Sequence, residues 1–260
     1  TTNGDRLRRE AFNVRFNREA DCLLAERPAA DMAASVYGIK CVSDLMYWPG
    51  AAQIFTHEGR EMLNAYRDDG CKPCASLDAE GQKTIDLFLA HCEMLFPNKD
   101  EQQLLLDWMT FVIQNPGKRI NWALLIQGAQ GTGKTFLSYV LQMILGSSAR
   151  TLDPTSISGR FTGWAHGSRV LTVEEIRISG TSKYEILDRL KPMLTNDVIP
   201  IEEKGRDHRS VPNFTNYLML TNHKDAIPLV SDDRRYAILF TDVQSQDDLY
   251  GKLGGEKATG

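Results

Sequence analysis

A glycine-rich segment in the middle of the chain has the residue types and the spacing that bind phosphate. Gly128–Thr135, called the phosphate loop below, fits the pattern G-x-x-x-x-G-K-[ST] in full. It follows an apolar run and precedes a helical stretch. Glycines let backbone N–H groups approach an anion without Cβ clashes, and the N-terminus of a helix favours negative charge. Lys134 is therefore expected to bridge terminal phosphates, and the Thr135 hydroxyl to ligate Mg²⁺. The residues expected to hold the nucleotide are Gly128, Ala129, Gln130, Gly131, Thr132, Gly133, Lys134, Thr135 and Phe136.

Two adjacent acids follow a second apolar run, Val170–Val173. A nucleoside triphosphatase needs a carboxylate for the Mg²⁺ shell and a base for the attacking water, both at the carboxyl edge of a neighbouring strand. We assign Glu174 to the metal shell and Glu175 to the water. The competing interpretation is a solvated strand end.

Asn222 ends a further apolar run, residues 217–221. Its neutral amide can hydrogen-bond the attacking water or the terminal phosphate without titrating. An asparagine after a strand is also common as a simple turn residue, and this alternative stays open.

A pair of arginines, Arg234 and Arg235, directly precedes the run at residues 236–240. A guanidinium group in this setting could act as an arginine finger that stabilises charge on the transferred phosphoryl group, offered in trans by a neighbouring subunit. The alternative is a surface ion pair with the preceding aspartates.

Between the acid pair and Asn222, two short apolar arms surround a charged tip, which predicts a β-hairpin. The tip offers hydrogen-bond donors that are expected to contact nucleic-acid phosphates: Lys204, Arg206, His208 and Arg209. A solvated loop is the plainer interpretation.

These candidate residues need a scaffold, and the pattern after residue 122 supplies one. Short apolar runs alternate with helical stretches there, which predicts an α/β domain with a mostly parallel central sheet. Residues 1–99 are predicted to form an accessory, mainly helical N-terminal region, with a helix over 5–26. Asp100 with Gln103 predicts the cap of a helix ending at Gln114. Residues 243–260 read as a polar C-terminal tail.

Composition excludes several classes of protein. The chain has 260 residues, of which 42% are apolar and 25% charged, as in an ordinary globular protein. Its formal charge of −4 argues against a basic surface that coats nucleic acid, so phosphate contacts must be local. Without an apolar run of about 18 residues or a signal peptide, we expect no membrane contact and a location in the cytoplasm of a bacterial host.

Two smaller features complete the sequence. Cys71 and Cys74 have the spacing of metal ligands, but without a second pair we expect two reduced thiols in a turn. Because residue 1 is Thr, the chain is expected to be a segment of a longer protein.

Taken in order, the phosphate loop, the acid pair, the hairpin with Lys204 and the strand ending at Asn222 resemble the superfamily 3 helicases of viruses, phages and plasmids, in particular phage-type primase-helicases. The resemblance implies an AAA+ P-loop motor over residues 100–242, using ATP and Mg²⁺. It also implies a homo-hexameric ring with nucleotide at subunit interfaces and hairpins around single-stranded DNA. An upstream primase-polymerase domain or other replication proteins would be partners.

Two other functions remain open on the same residues. One is an AAA+ ATPase switch that acts on a protein partner without unwinding nucleic acid. The other is a small-molecule kinase, although no substrate lid is evident and the arginine pair would be unexplained.

Overall fold

The computed structural model describes residues 9–18, 27–36, 38, 42–174, 182–205, 208–222 and 233–252. They belong to two compact units, one made of Thr1–Leu45 with Gln53–Leu63 and the other of Met46–Ala52 with Asn64–Gly260. Within the described ranges, no helix has the length and apolar content needed to cross a bilayer.

The first unit contains two short helices, α1 (Arg9–Phe16) and α2 (Ala29–Ser35), and most of a three-stranded sheet. The strands are β1 (Asp44–Met46), β2 (Ile54–His57) and β3 (Arg60–Asn64), in the order β1-β3-β2. Strands β2 and β3 are antiparallel, and the turn between them places Glu58 and Gly59 at positive φ, as a tight hairpin requires.

This sheet was not predicted within the N-terminal region, which was expected to be mainly helical and does contain helices α1 and α2. Its strands are only three to five residues long, too short to produce a periodicity that distinguishes them from loops. The helix expected over 5–26 is seen only as α1, and residues 1–8 and 19–26 lie outside the described ranges.

The second unit begins with two helices, α3 (Ala79–Leu95) and α4 (Lys99–Gln114). The Asp78 carboxylate caps α3 by accepting a 2.7 Å hydrogen bond from Gly81 N. Asn98 caps α4 by accepting from Asp100 N at 2.9 Å, so the cap predicted at Asp100 lies two residues earlier. The Gln103 side chain bonds Asp107 instead of closing a capping box.

The centre of the second unit is a five-stranded sheet in the order β10-β4-β9-β6-β5, in which every pairing is parallel. Its strands are β4 (Ala123–Gln127), β5 (Ala149–Leu152), β6 (Val170–Val173), β9 (Asn216–Thr221) and β10 (Tyr236–Phe240). The separate hairpin consists of β7 (Val198–Ile201) and β8 (Arg209–Pro212), paired antiparallel. The helices after the sheet begins are α5 (Lys134–Leu145), α6 (Pro154–Ser158), α7 (Ser182–Thr195) and α8 (Gln246–Lys252).

The core lies on both faces of this sheet, which explains the continuous apolar runs. Leu124 and Ile126 of β4 pack in a cluster that includes side chains of α3, α4 and α5. Ala123 and Leu125, pointing the other way, belong to a cluster with α7 and the hairpin. All residues of β6 and β9 are buried, as central strands covered on both faces should be.

The predicted parallel α/β sheet is therefore confirmed, although β5 and α8 of the second unit were not predicted. Strand β5 carries exposed Arg150 and Thr151 between buried ends, so its sequence lacks an apolar run. Helix α8 lies within the segment that was expected to be a polar tail. Its sequence is mostly polar, and Leu249 packs against the core.

Candidate phosphate-binding site

The phosphate loop leaves the carboxyl end of β4 and enters α5. Gly131 and Gly133 have φ of 75° and 89°, a region that side chains rarely adopt. At Gly128 a Cβ atom would lie 1.8 Å from Thr241 Oγ1, so this position also excludes a side chain. The spacing of the three glycines thus follows from the backbone path and from the close approach of the segment after β10.

Lys134 is the first residue of α5, and its side chain turns back to the start of the loop, where it is only 6% exposed. Its Nζ donates hydrogen bonds to Gly128 O at 2.9 Å, Ala129 O at 2.6 Å and Asn222 Oδ1 at 2.9 Å. Burial lowers the pKa of Lys134 from 10.5 to about 8, because a charged ammonium loses hydration there. A phosphate group would supply the counter-charge that these neutral acceptors do not.

The Asn222 contact follows from strand order. Parallel strands place their carboxyl ends at one edge, and β9 lies between the phosphate-loop strand β4 and the acid strand β6. The residue after β9 is therefore next to both the loop and the acid. The order of the strands therefore explains the contact between Asn222 and Lys134. A simple turn residue after a strand would have no reason to make this contact.

A cleft of about 320 Å³ opens beside Lys134. Thr135 and Glu174 line it together with Asn222, so three of the predicted chemical groups share one space. Below the cleft, Ser138 Oγ of α5 donates to Thr172 Oγ1 of β6 at 3.0 Å, which connects the helix carrying Thr135 to the strand ending at Glu174. Glu175 lies outside the described residues.

The donor set fits a magnesium nucleotide. Thr135 and Glu174, whose side chains carry hard oxygen groups, line the cleft, which suits Mg²⁺ held by few protein ligands plus phosphates and water. The loop meets the start of a 12-residue helix, α5, whose first N–H groups favour an anion. Within the described ranges, no group of three or more His, Cys, Asp or Glu side chains forms a protein-only metal site.

His91 of α3 contacts the loop from outside the predicted motif. Its Nε2 lies 3.2 Å from Gly133 O, and its ring packs edge-on against Phe136 with centroids 5.1 Å apart. Desolvation lowers the pKa of His91, which favours the neutral ring. The contact of His91 with the phosphate loop could not be predicted, because a single histidine in a helix carries no sequence signal for it.

Phe136, expected among the nucleotide-binding residues, is 43% exposed and is absent from the lining of the cleft.

Helix α8 supplies a further wall of the same cleft. Gln246, Leu249 and Tyr250 line it, although the sequence pattern marked this segment only as polar. The i, i+3, i+4 spacing of these three residues was the available signal, since it places them on one helical face.

The arginine pair lies away from the cleft. Arg234 and Arg235 precede β10, whose first residue Tyr236 pairs with Ala123 at the start of β4. The loop follows the other end of β4, about 15 Å away at strand rise. Arg235 Nη1 is 3.3 Å from Asp233 Oδ2, as the ion-pair alternative expected. At this distance, Arg234 and Arg235 cannot reach a nucleotide in the cleft of their own chain. An arginine finger that acts in trans stays a prediction.

Two of the candidate donors of the hairpin lie beside acidic side chains. Arg209 Nη2 is 3.2 Å from Glu203 Oε2, and His208 Nε2 is 3.5 Å from Glu202 Oε2. Lys204 is exposed at the tip, next to Gly205 at φ 73°. Arg206 lies outside the described residues. Of the expected phosphate contacts in the described tip, Lys204 and His208 are exposed and Arg209 is half-buried.

An aromatic pocket of about 410 Å³ adjoins the hairpin. Phe161 and Trp164 line it with Lys204, and the Phe161 side chain is 43% exposed. The Arg160 guanidinium lies 5.8 Å from the Phe161 ring centroid and pairs with Glu202 at 2.6 Å. An exposed ring and a lysine thus face one depression beside the tip.

Cys71 and Cys74 are exposed free thiols. Neither belongs to a group of three or more possible metal ligands among the described residues. Their role as reduced thiols in a turn stays a prediction.

Comparisons with known proteins agree with this architecture. A family of unknown function, DUF5906, matches residues 126–235, which is less than half of the chain and includes the phosphate loop from Gly128 onward. A curated relative, the DNA primase-polymerase of Nitratiruptor phage NrS-1, is 20% identical over 197 residues. That match covers 74% of this chain but only 27% of the relative.

Solved structures of the NrS-1 C-terminal region are also similar. The apo structure of residues 305–718 superposes with a TM-score of 0.63 at 16% identity, covering 81% of this chain and 52% of that one. An apo structure of the same region in its A form gives 0.61 at 18% identity, with 81% and 51% covered. The chain thus spans about half the length of these structures and shares their fold over most of its own.

Proposed function

We propose that this chain is an ATP-hydrolysing AAA+ motor domain of a phage or plasmid-type replication protein, of the superfamily 3 helicase kind, acting on single-stranded DNA as a ring. The single observation that carries the proposal is the convergence at Lys134. A buried ammonium, the Thr135 hydroxyl, Glu174 and Asn222 share one cleft at the carboxyl edge of a parallel sheet.

In this proposal each side chain has a role in binding or orienting ATP. Lys134 exchanges its loop carbonyl partners for phosphate oxygens, with which it forms stronger charge-assisted hydrogen bonds. Thr135 and Glu174 would hold Mg²⁺, which when bound neutralises charge on the phosphates. Asn222 orients the attacking water or the terminal phosphate, and Glu175 activates the water.

The nucleic-acid part of the proposal rests on the hairpin and on the relative. The relative's name describes a DNA primase-polymerase, and we extend a role in handling DNA to this chain. Lys204 and the exposed Phe161 ring at one pocket would offer a phosphate contact and a stacking surface. Arg235 would reach the nucleotide of a neighbouring subunit, as a finger in trans.

ATP hydrolysis measured with and without single-stranded DNA tests both parts. Lys134→Ala should abolish hydrolysis, and Glu175→Gln should permit binding but prevent turnover. Lys204→Ala should remove DNA stimulation while leaving basal hydrolysis intact, with Lys83→Ala, an exposed lysine of α3, as its matched control. Full hydrolysis by Lys134→Ala would refute the motor assignment.

A second candidate function is an AAA+ ATPase switch that acts on a protein partner. It is favoured by the acidic side chains of the hairpin, because Glu203 pairs with Arg209 and Glu202 lies beside His208. On this alternative, Lys204→Ala leaves DNA binding unchanged and DNA fails to stimulate hydrolysis.

A further inference from the structure

Helix α8 forms one wall of the cleft that the phosphate loop also lines. Gln246, Leu249 and Tyr250 lie on one face of the helix and all three line the cleft. Leu249 packs against the core cluster shared with α5, which fixes the helix in place. At Gly131, a Cβ atom would lie 3.3 Å from Gln246 Cβ, so α8 contacts the phosphate loop closely.

The two walls differ in chemistry. Around Lys134, Thr135 and Glu174 the cleft is charged and rich in oxygen and nitrogen groups, whereas α8 contributes an aliphatic side chain, a phenol ring and a carboxamide. Tyr250 lines the cleft and is only half-buried, so part of its side chain is accessible to a ligand there. A flat heteroaromatic group with a hydrogen-bonding edge is the ligand that suits such a wall.

We propose that α8 is the base subsite of this cleft, with Tyr250 stacking on the nucleobase and Gln246 selecting adenine. The inference rests on the proposed nucleotide function and names the residues that recognise the base. A carboxamide presents one donor and one acceptor, which match the N6 amine and N7 of adenine. Guanine presents two acceptors, O6 and N7, at the same edge, so the carboxamide oxygen would meet a lone pair.

Binding of ATP, GTP and inorganic tripolyphosphate, each with Mg²⁺, separates base recognition from phosphate recognition. By isothermal titration calorimetry, Tyr250→Ala should weaken ATP binding about 5- to 150-fold, the range expected for one lost stacking contact. Its affinity for tripolyphosphate should stay within about twofold of wild type. Tyr250→Phe keeps the ring and should bind ATP normally, and Gln246→Ala should bring the ATP and GTP affinities together.

Tyr139→Ala serves as the control, because Tyr139 is 58% exposed on α5 and is not part of the cleft lining. Thermal unfolding of each variant establishes that α8 remains folded. Equal losses of ATP and tripolyphosphate in Tyr250→Ala, or no loss of either, overturn the base subsite alone. Failure of the wild-type protein to bind both ligands, or undiminished binding by Lys134→Ala, overturns the proposed function itself.

Discussion

The contact between Lys134 and Asn222 allows a sharp test of how the cleft binds phosphate. Asn222 Oδ1 accepts a hydrogen bond from Lys134 Nζ at 2.9 Å. Asn222→Asp keeps the size and shape of the side chain but adds a negative charge at that oxygen. The lysine would then be paired with a carboxylate, and an incoming phosphate would meet that carboxylate as a like charge.

The size of the effect follows from Coulomb's law. An anion in hydrogen-bond contact with Lys134 Nζ would lie about 5 Å from the new carboxylate, given the 2.9 Å spacing on the other side. At an effective dielectric constant of about 20, two unit charges at this separation repel by about 3 kcal/mol. The affinity for ATP should therefore fall about 100-fold. Asn222→Ala, which removes only a hydrogen bond, should cost less than about tenfold.

Isothermal titration with ATP at low and high salt measures this difference. The titrations should be run with Mg²⁺ and also with EDTA, so that a contact between the carboxylate and the metal does not conceal the repulsion. The defect of Asn222→Asp should shrink at high salt, whereas that of Asn222→Ala should not. Equal affinities for wild type and Asn222→Asp would show that phosphate does not bind at Lys134.

Other perturbations have equally direct outcomes. ATP affinity should fall as pH rises above about 8, because the Lys134 pKa is lowered to about 8 and bound phosphate stabilises the ammonium form. Calorimetry should show a loss of affinity of up to about tenfold per pH unit. A flat profile to pH 9.5 would contradict this reasoning. His91→Ala removes the contact with Gly133 O and should weaken ATP binding about 3- to 10-fold. His91→Gln should lose less affinity. Unchanged binding in His91→Ala would mean that α3 does not support the loop. In urea unfolding, Ile126→Ala should lose about 2 to 5 kcal/mol, whereas Val198→Ala, at a position 55% exposed, should lose less than about 1; similar losses would contradict the assigned core.

Much of the fold was predictable because its signals are local. The runs that became β4, β6, β9 and β10 are apolar on both faces, which single-sequence patterns reveal. The phosphate loop was predictable for the same reason, since its glycines and Lys134 occur at fixed offsets. Strands β1 to β3 and β5 gave no such signal, because short or half-exposed strands are stabilised by neighbours distant in sequence.

The sequence by itself determined which residues are chemically capable: the loop, Lys134, Thr135 and an acid after an apolar strand. Only the tertiary structure decided which distant residues join them. Insertion of β9 between β4 and β6 brings Asn222 to Lys134, packing of α3 brings His91 to Gly133, and α8 closes the cleft. The parallel direction of β10 and β4 also separates Arg235, which precedes β10, from the loop that follows β4. The physical reason is that backbone geometry and side-chain periodicity act over a few residues, whereas these contacts depend on the order of strands and the packing of helices across the whole unit.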